Sequence, residues 1–277
     1  MNRSSGPESR SIHIAAQNGV TADIEAELGR GVSVDATDQD GYTALHWAAQ
    51  EGHADAVSLL LRSGANLSLL DNEGFSPLEI ASTKGQLRIV ELLLEAGVDP
   101  NKSRDGFTPL HAAAASGHEN IVRLLVGWGA TIDIVDAGGR TPLHWSAQEG
   151  SNGIVSYLLA NGASVNVQEA EGFTALNIAA GENHIDVAKT LLENGADPSI
   201  PNYYPGDTAL HTAIAWDNSE LVQILLEHGA DPGILNRDGV TPLDYAALAK
   251  HLPGSVRSAT DDPDGDPGFG FQKPRNE

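Results

Sequence analysis

Cysteine is absent from the 277-residue chain, which excludes disulfide frameworks and thiolate catalysis and fits a reducing compartment. Basic residues are scarce: 16 Lys and Arg stand against 38 Asp and Glu, for a formal net charge of −22. The few cations form no stripe of the kind a nucleic-acid backbone requires, so nucleic acid is not an expected partner. A protein partner with a basic or polar surface is easier to accommodate, since the acidic field favours its approach. The first twenty residues carry no long apolar run, so neither a secretory leader nor a membrane span is read there. The expected location is the cytoplasm, with the nucleus as the second choice.

What the chain does have is a period. Thr43-Ala44-Leu45-His46 returns as Ser76-Pro77-Leu78-Glu79, Thr108-Pro109-Leu110-His111 and Thr141-Pro142-Leu143-His144. It continues as Thr174-Ala175-Leu176-Asn177, Thr208-Ala209-Leu210-His211 and Thr241-Pro242-Leu243-Asp244. Opening glycines at 41, 74, 106, 139, 172, 206 and 239 give a spacing of 33 with one deletion and one insertion. A fixed period of this length marks units that bury their apolar sides against neighbours.

The stretch from Gly106 to Gly139 illustrates the unit. Thr108 is suited to capping a helix, and Pro109 fits its first position. Ala112 to Ala115 permit close packing, and Gly117 ends the helix. Ile121, Val122, Leu124, Leu125 and Val126 then make one side of a second helix, with Arg123 facing water. Gly129 closes it, and a polar extended segment leads to the turn Asp136-Ala137-Gly138-Gly139.

The run Gly106-Phe107-Thr108-Pro109-Leu110-His111-Ala112-Ala113, with Gly162-Ala163-Ser164-Val165-Asn166 at a unit's end, resembles the ankyrin-repeat family. The resemblance covers residues 11–252. It implies an all-α solenoid of stacked helix-turn-helix units with projecting β-hairpin or turn loops. Seven units are recognisable, preceded by a degenerate cap in which His13 aligns with His46 and Glu25, Glu27 and Arg30 make the second helix polar. The last unit is truncated at Pro253-Gly254. Residues 1–10 are expected to be flexible, and 253–277, rich in Asp, Pro and Gly, a disordered tail. In the minority alternative, Phe269 and Phe271 fold back over the last unit.

Five histidines, His13, His46, His111, His144 and His211, share one position of the unit. Packed helices lie about 8–10 Å apart, whereas one zinc needs every nitrogen within about 2.1 Å, so neighbouring rungs cannot share an ion. Each imidazole is expected to hydrogen-bond within its turn instead, a role the resemblance also implies. No metal or other cofactor is expected.

The resemblance places partner contacts on the hairpin tips and on the concave side of each first helix. Carried over by position, these are Tyr42, Gln50 and Glu51, then Phe75 and Lys84, then Phe107 beside Arg104. Arg140, Gln148 and Glu149 follow, and after them Phe173 and Glu182. Tyr42, Phe75, Phe107 and Phe173 all succeed an opening glycine; they either anchor a partner or pack as framework. The insertion Pro201-Asn202-Tyr203-Tyr204-Pro205, with Trp216 on the next helix, is read as an apolar anchor; the alternative is a repaired loop. Trp47 and Trp145 are expected at the core edge, and Trp128 on the outer side.

Function follows from these surfaces. Nothing resembles a nucleophile elbow, a phosphate loop or a metalloprotease helix, so a monomeric, non-enzymatic protein-interaction module, scaffold or inhibitor is expected. The alternative is a small-molecule-binding or catalytic groove at Trp47, Trp145, Gln148, Glu149 and Glu182, in which a desolvated glutamate serves as acid or base. A third reading, an adaptor whose tail carries the recognition motif, rests on residues 253–277.

Overall fold

The computed structural model describes residues 7–251 apart from residue 104. Arg104, the segment 253–277 and its Phe269 and Phe271 therefore lie outside the described residues. The described residues form fifteen α-helices, and the chain divides after Ala170 into two compact units. The first holds α1 (Pro7–Gln17), α2 (Thr21–Gly29), α3 (Ala44–Glu51), α4 (Ala54–Arg62), α5 (Pro77–Thr83), α6 (Leu87–Glu95), α7 (Pro109–Ala115), α8 (Glu119–Gly127), α9 (Pro142–Glu149) and α10 (Asn152–Ala160). The second holds α11 (Ala175–Gly181), α12 (Ile185–Glu193), α13 (Ala209–Ala215), α14 (Ser219–Glu227) and α15 (Pro242–His251). Helix α1 already begins at Pro7, ahead of the start at residue 11 read from the repeat.

The recurring tetrad sets where each first helix starts. Thr43 accepts from the His46 backbone N–H while the His46 ring receives the Thr43 N–H, a reciprocal cap that satisfies two helix-end donors. Ser76 with Glu79, Thr108 with His111, Thr141 with His144, Thr174 with Asn177 and Thr208 with His211 repeat it. The second helices form for a different reason. Most carry no side-chain cap; they are amphipathic, and α6 buries Ile89, Val90, Leu93 and Leu94 while Arg88 and Glu95 face water. Such helices owe their stability mainly to packing.

Packing runs in two rows. In the first unit α1, α3, α5, α7 and α9 touch in succession, as do α2, α4, α6, α8 and α10. In the second, α11, α13 and α15 form one row and α12 packs on α14. Ala48, Ala49, Ala81, Ala113 and Ala147, all fully buried, let first helices approach closely. Leu60, Leu93 and Leu125 fill the space between the rows at no exposure, each burial contributing about 1.5–3 kcal/mol.

The loops between repeats are turns rather than paired strands: among the described residues the only strand-like pairing is an isolated bridge between Thr37 and Thr43. Successive tips are nevertheless joined by backbone. Asn72 N–H donates to the Asp40 carbonyl at 2.9 Å, and Ala170 N–H to that of Gly138 at 2.9 Å. Tyr203 N–H reaches the Glu171 carbonyl at 2.8 Å within the second unit. Gly41 explains its own identity here, since its φ is +81° and a Cβ would lie 2.7 Å from the Asn72 nitrogen.

One expectation is corrected. Glu27 does not face solvent in α2 but is buried, paired with exposed Arg30 three residues on. The cap's charge is turned inward because a single arginine covers the carboxylate.

Candidate functional site

The hairpin tips of the first unit are built on aspartates. Asp38 Oδ1 accepts from Asp40 N–H at 3.0 Å and Tyr42 N–H at 2.9 Å, while Oδ2 accepts from the Trp47 indole at 2.8 Å. Asp136 repeats the arrangement with Gly138 N–H, Arg140 N–H and the Trp145 indole, all at 2.9 Å. One carboxylate thus closes a turn and fixes the helix that follows.

Aromatic and cationic groups cover these turns. The half-buried Tyr42 ring packs 5.4 Å from His46 and 5.0 Å from Trp47. Burial, with help from Asp71, Glu73, Asp38 and Asp40, pushes its phenol up to about 12. Phe107 stacks on His111 at 5.5 Å and meets Trp145 edge-on at 5.8 Å. The Arg140 guanidinium lies 4.4 Å over the Trp145 ring. Trp145 is buried and Trp47 half-buried, the core-edge placement expected of both.

The helix ends between tips are more open. Gln50 and Gln148 are half-exposed, whereas Glu51, Lys84 and Glu149 are exposed. Gln50 Nε2 donates to Glu51 Oε1 at 3.1 Å. Phe75 is half-buried, and its carbonyl accepts from His46 Nε2 at 3.3 Å.

In the second unit the insertion is organised by Asn202. This buried side chain accepts from Gly206 N–H at 2.8 Å and Asp207 N–H at 2.9 Å. Asp207 in turn accepts from Asn236 Nδ2 at 2.8 Å and the Tyr245 hydroxyl at 2.9 Å. Burial first, then Asp207, pushes the Tyr245 phenol up to about 12. Tyr203 lies against Gly172 yet is 48 % exposed, Tyr204 is 74 % exposed, and Trp216 at the end of α13 is 40 % exposed. Phe173, expected among the tip aromatics, is buried, so its ring offers little to a partner; Glu182 is half-exposed.

The histidine rungs are structural. His46, His111, His144 and His211 each place Nδ1 within 3.1 Å of their Thr backbone nitrogen. A backbone N–H can only donate, so Nδ1 accepts and Nε2 carries the proton. Nε2 then donates onward, from His111 to the Arg140 carbonyl at 3.0 Å and from His144 to that of Val167 at 3.0 Å. Among the described residues no group of three or more His, Asp or Glu is placed to hold a metal ion.

Comparison with family models matches ankyrin repeats over residues 12–104 and 110–202, and again over 198–246. The chain belongs to the ankyrin-repeat family. The crystal structure of the ankyrin repeat domain of human ASB11 is similar, with a TM-score of 0.72 and 28 % identity. The alignment covers 80 % of this chain and 98 % of that one. A comparison with curated proteins found no match.

Ankyrin repeats are in general protein-interaction modules, and the fold is typically a non-catalytic one. Neither glutamate of the alternative catalytic groove is buried, Glu149 being exposed and Glu182 half-exposed, whereas acid/base use requires desolvation. Among the described residues no helix is long and apolar enough to cross a membrane. The pairing of Asp38 with Trp47 and Asp136 with Trp145 escaped the ankyrin reading. Its signal was present, an Asp nine residues before a Trp in both places.

Proposed function

We propose that this ankyrin-repeat chain holds, presents or inhibits a partner protein, which it contacts through its hairpin tips and the open ends of its first helices. The observation that carries this reading is the exposure of Tyr203, Tyr204 and Trp216 in the second unit. Their backbone is tied down by the Asn202 turn and the α13 cap. Rigid aromatics on a fixed frame bury much area at small entropic cost.

A second feature supports the same end of the chain. Asp217, next to Trp216, holds φ +55° and Asn183 of the preceding repeat φ +61°, where the repeats of the first unit place Gly52, Gly85, Gly117 and Gly150. A non-glycine residue in that conformation carries strain, and strain concentrates at working surfaces.

The contacts assigned in the first unit are Tyr42, Gln50, Glu51, Phe75, Lys84 and Phe107, with Arg140, Gln148 and Glu149; those assigned in the second, taken by itself, are Glu182, Tyr203, Tyr204 and Trp216. Capture from the native host by the wild-type chain and by the Tyr203→Ala/Trp216→Ala variant tests the reading. A retained protein whose capture weakens in the variant, at unchanged helical content, supports it. Equal capture by both removes the aromatic anchor.

A further inference from the structure

We infer that the neighbouring turns at Asp38 and Asp71 receive the guanidinium of an arginine on a basic segment of the partner. The inference rests on the binding reading above and adds to it the chemistry of one contact.

Asp71 is the starting point. Its Oδ1 closes a turn by accepting from Glu73 N–H at 2.9 Å and Phe75 N–H at 2.8 Å. Its residue exposure is 7 %, and its Oδ2 is buried without a hydrogen-bond partner in the protein. In the sister turns of Asp38 and Asp136 that oxygen takes an indole N–H from the residue nine positions on. Here the ninth position is Ile80, which has no donor. A buried carboxylate oxygen left without a donor is costly, and a charged donor is the partner that offsets most.

The surroundings select a cation. The Asp71 charge helps burial raise the Tyr42 phenol, and it also acts on His46 and Glu79. Glu73, Asp38 and Asp40 act on Tyr42 as well. No Lys or Arg occurs between Asp38 and Glu51 or between Asp71 and Thr83. Asp40 and Glu73 are exposed at the two tips, which the Asn72 N–H joins to the Asp40 carbonyl at 2.9 Å.

The molecule itself builds this contact elsewhere with arginine. Arg123 lies 4.4 Å over the Tyr157 ring while donating to Glu119 at 2.7 and 3.0 Å. Arg140 lies 4.4 Å over Trp145 beside the Asp136 turn. At Tyr42 the ring and the carboxylates are present, and among the described residues no guanidinium lies over that ring. The ring rests on His46 and Trp47 while its hydroxyl makes a 3.5 Å contact to Gln50 Oε1, at the long limit of a hydrogen bond. A planar guanidinium can stack on the ring and donate to Asp71 and Glu73 together, which an ammonium cannot do.

The test selects a phage-displayed library of random peptides on the intact chain, then measures binding of the enriched peptides to the wild type, Asp71→Asn and Glu95→Gln. Asp71→Asn keeps the turn, as Asn202 and Asn236 do in the same chain, and circular dichroism checks that it folds. Glu95→Gln removes one exposed charge from the end of α6. Enrichment of arginine, with a loss of about tenfold in Asp71→Asn and in peptides with Arg replaced by Lys, and less than about twofold in Glu95→Gln, supports the inference. Enriched peptides without arginine, unchanged binding to Asp71→Asn, or equal losses in both variants overturn it and leave the binding reading standing. A chain that enriches no peptide and retains no host protein overturns both.

Discussion

The Nε2 atom of His111 donates across 3.0 Å to the carbonyl oxygen of Arg140, which belongs to the following repeat. Its Nδ1 meanwhile accepts from Thr108 at the start of its own helix. One neutral imidazole therefore caps a helix and ties two repeats together, and a second proton on Nδ1 would face the Thr108 N–H donor.

A pH dependence follows. Burial lowers the pKa of both His46 and His111 from the ordinary 6.5. Below 6.5 the unfolded chain takes up protons that the folded chain refuses. Their contribution to stability is complete above 6.5 and is lost as pH falls toward the folded values. The thermal midpoint should drop between pH 7 and pH 5, and the His46→Asn/His111→Asn variant should show a flatter dependence. Asparagine already fills this position as Asn177. A slope unchanged in the variant would contradict the assignment.

Glu79 has the opposite sign. It occupies the histidine position, is buried, and its carboxyl is raised by desolvation against the opposing Ser76 hydrogen bonds. An acid raised in the folded state stabilises below its unfolded value, a contribution lost as pH rises through the folded one. Glu79→Gln keeps an acceptor for Ser76 and gains an amide donor, as Asn177 uses toward the Ile200 carbonyl at 3.3 Å. Denaturant unfolding at pH 7 should show a gain of about 1 kcal/mol; a loss would mean the carboxylate charge itself is needed.

Much of this was readable beforehand, and the reason is local. The Thr-Pro start, the closing glycines and the apolar run Ile121 to Val126 act within one repeat, so spacing alone places α7 and α8. The target of each imidazole lies in the next repeat, 29 residues on for His46 and His111, and no residue type marks a carbonyl acceptor. Exposure was harder still. Phe107 and Phe173 follow the same glycine, yet one is half-buried and the other buried, because their neighbours differ. Of the proposed contact surface, the insertion aromatics are marked in the sequence by their flanking prolines and are exposed; the unmatched Asp71 oxygen is not so marked, since it depends on what stands at residue 80.

Leu125 tests the packing. It is fully buried in α8, and Leu125→Ala should cost about 2–5 kcal/mol in denaturant unfolding. A change near zero would remove it from the core.

Asp217 tests the strain. Its φ of +55° favours glycine, so Asp217→Gly should raise stability by about 0.5–1 kcal/mol despite the added chain entropy. A lower thermal midpoint would show that the aspartate side chain, not the backbone, governs this corner.

Hydrogen exchange on the chain alone and bound to its captured partner bears most directly on the interaction surface. Slowed exchange is expected in the turns at 38–42, 71–75 and 201–207 and at the ends of α3 and α13. Protection confined to the second-row helices α4, α6, α8 and α14, with the turns unchanged, would contradict it.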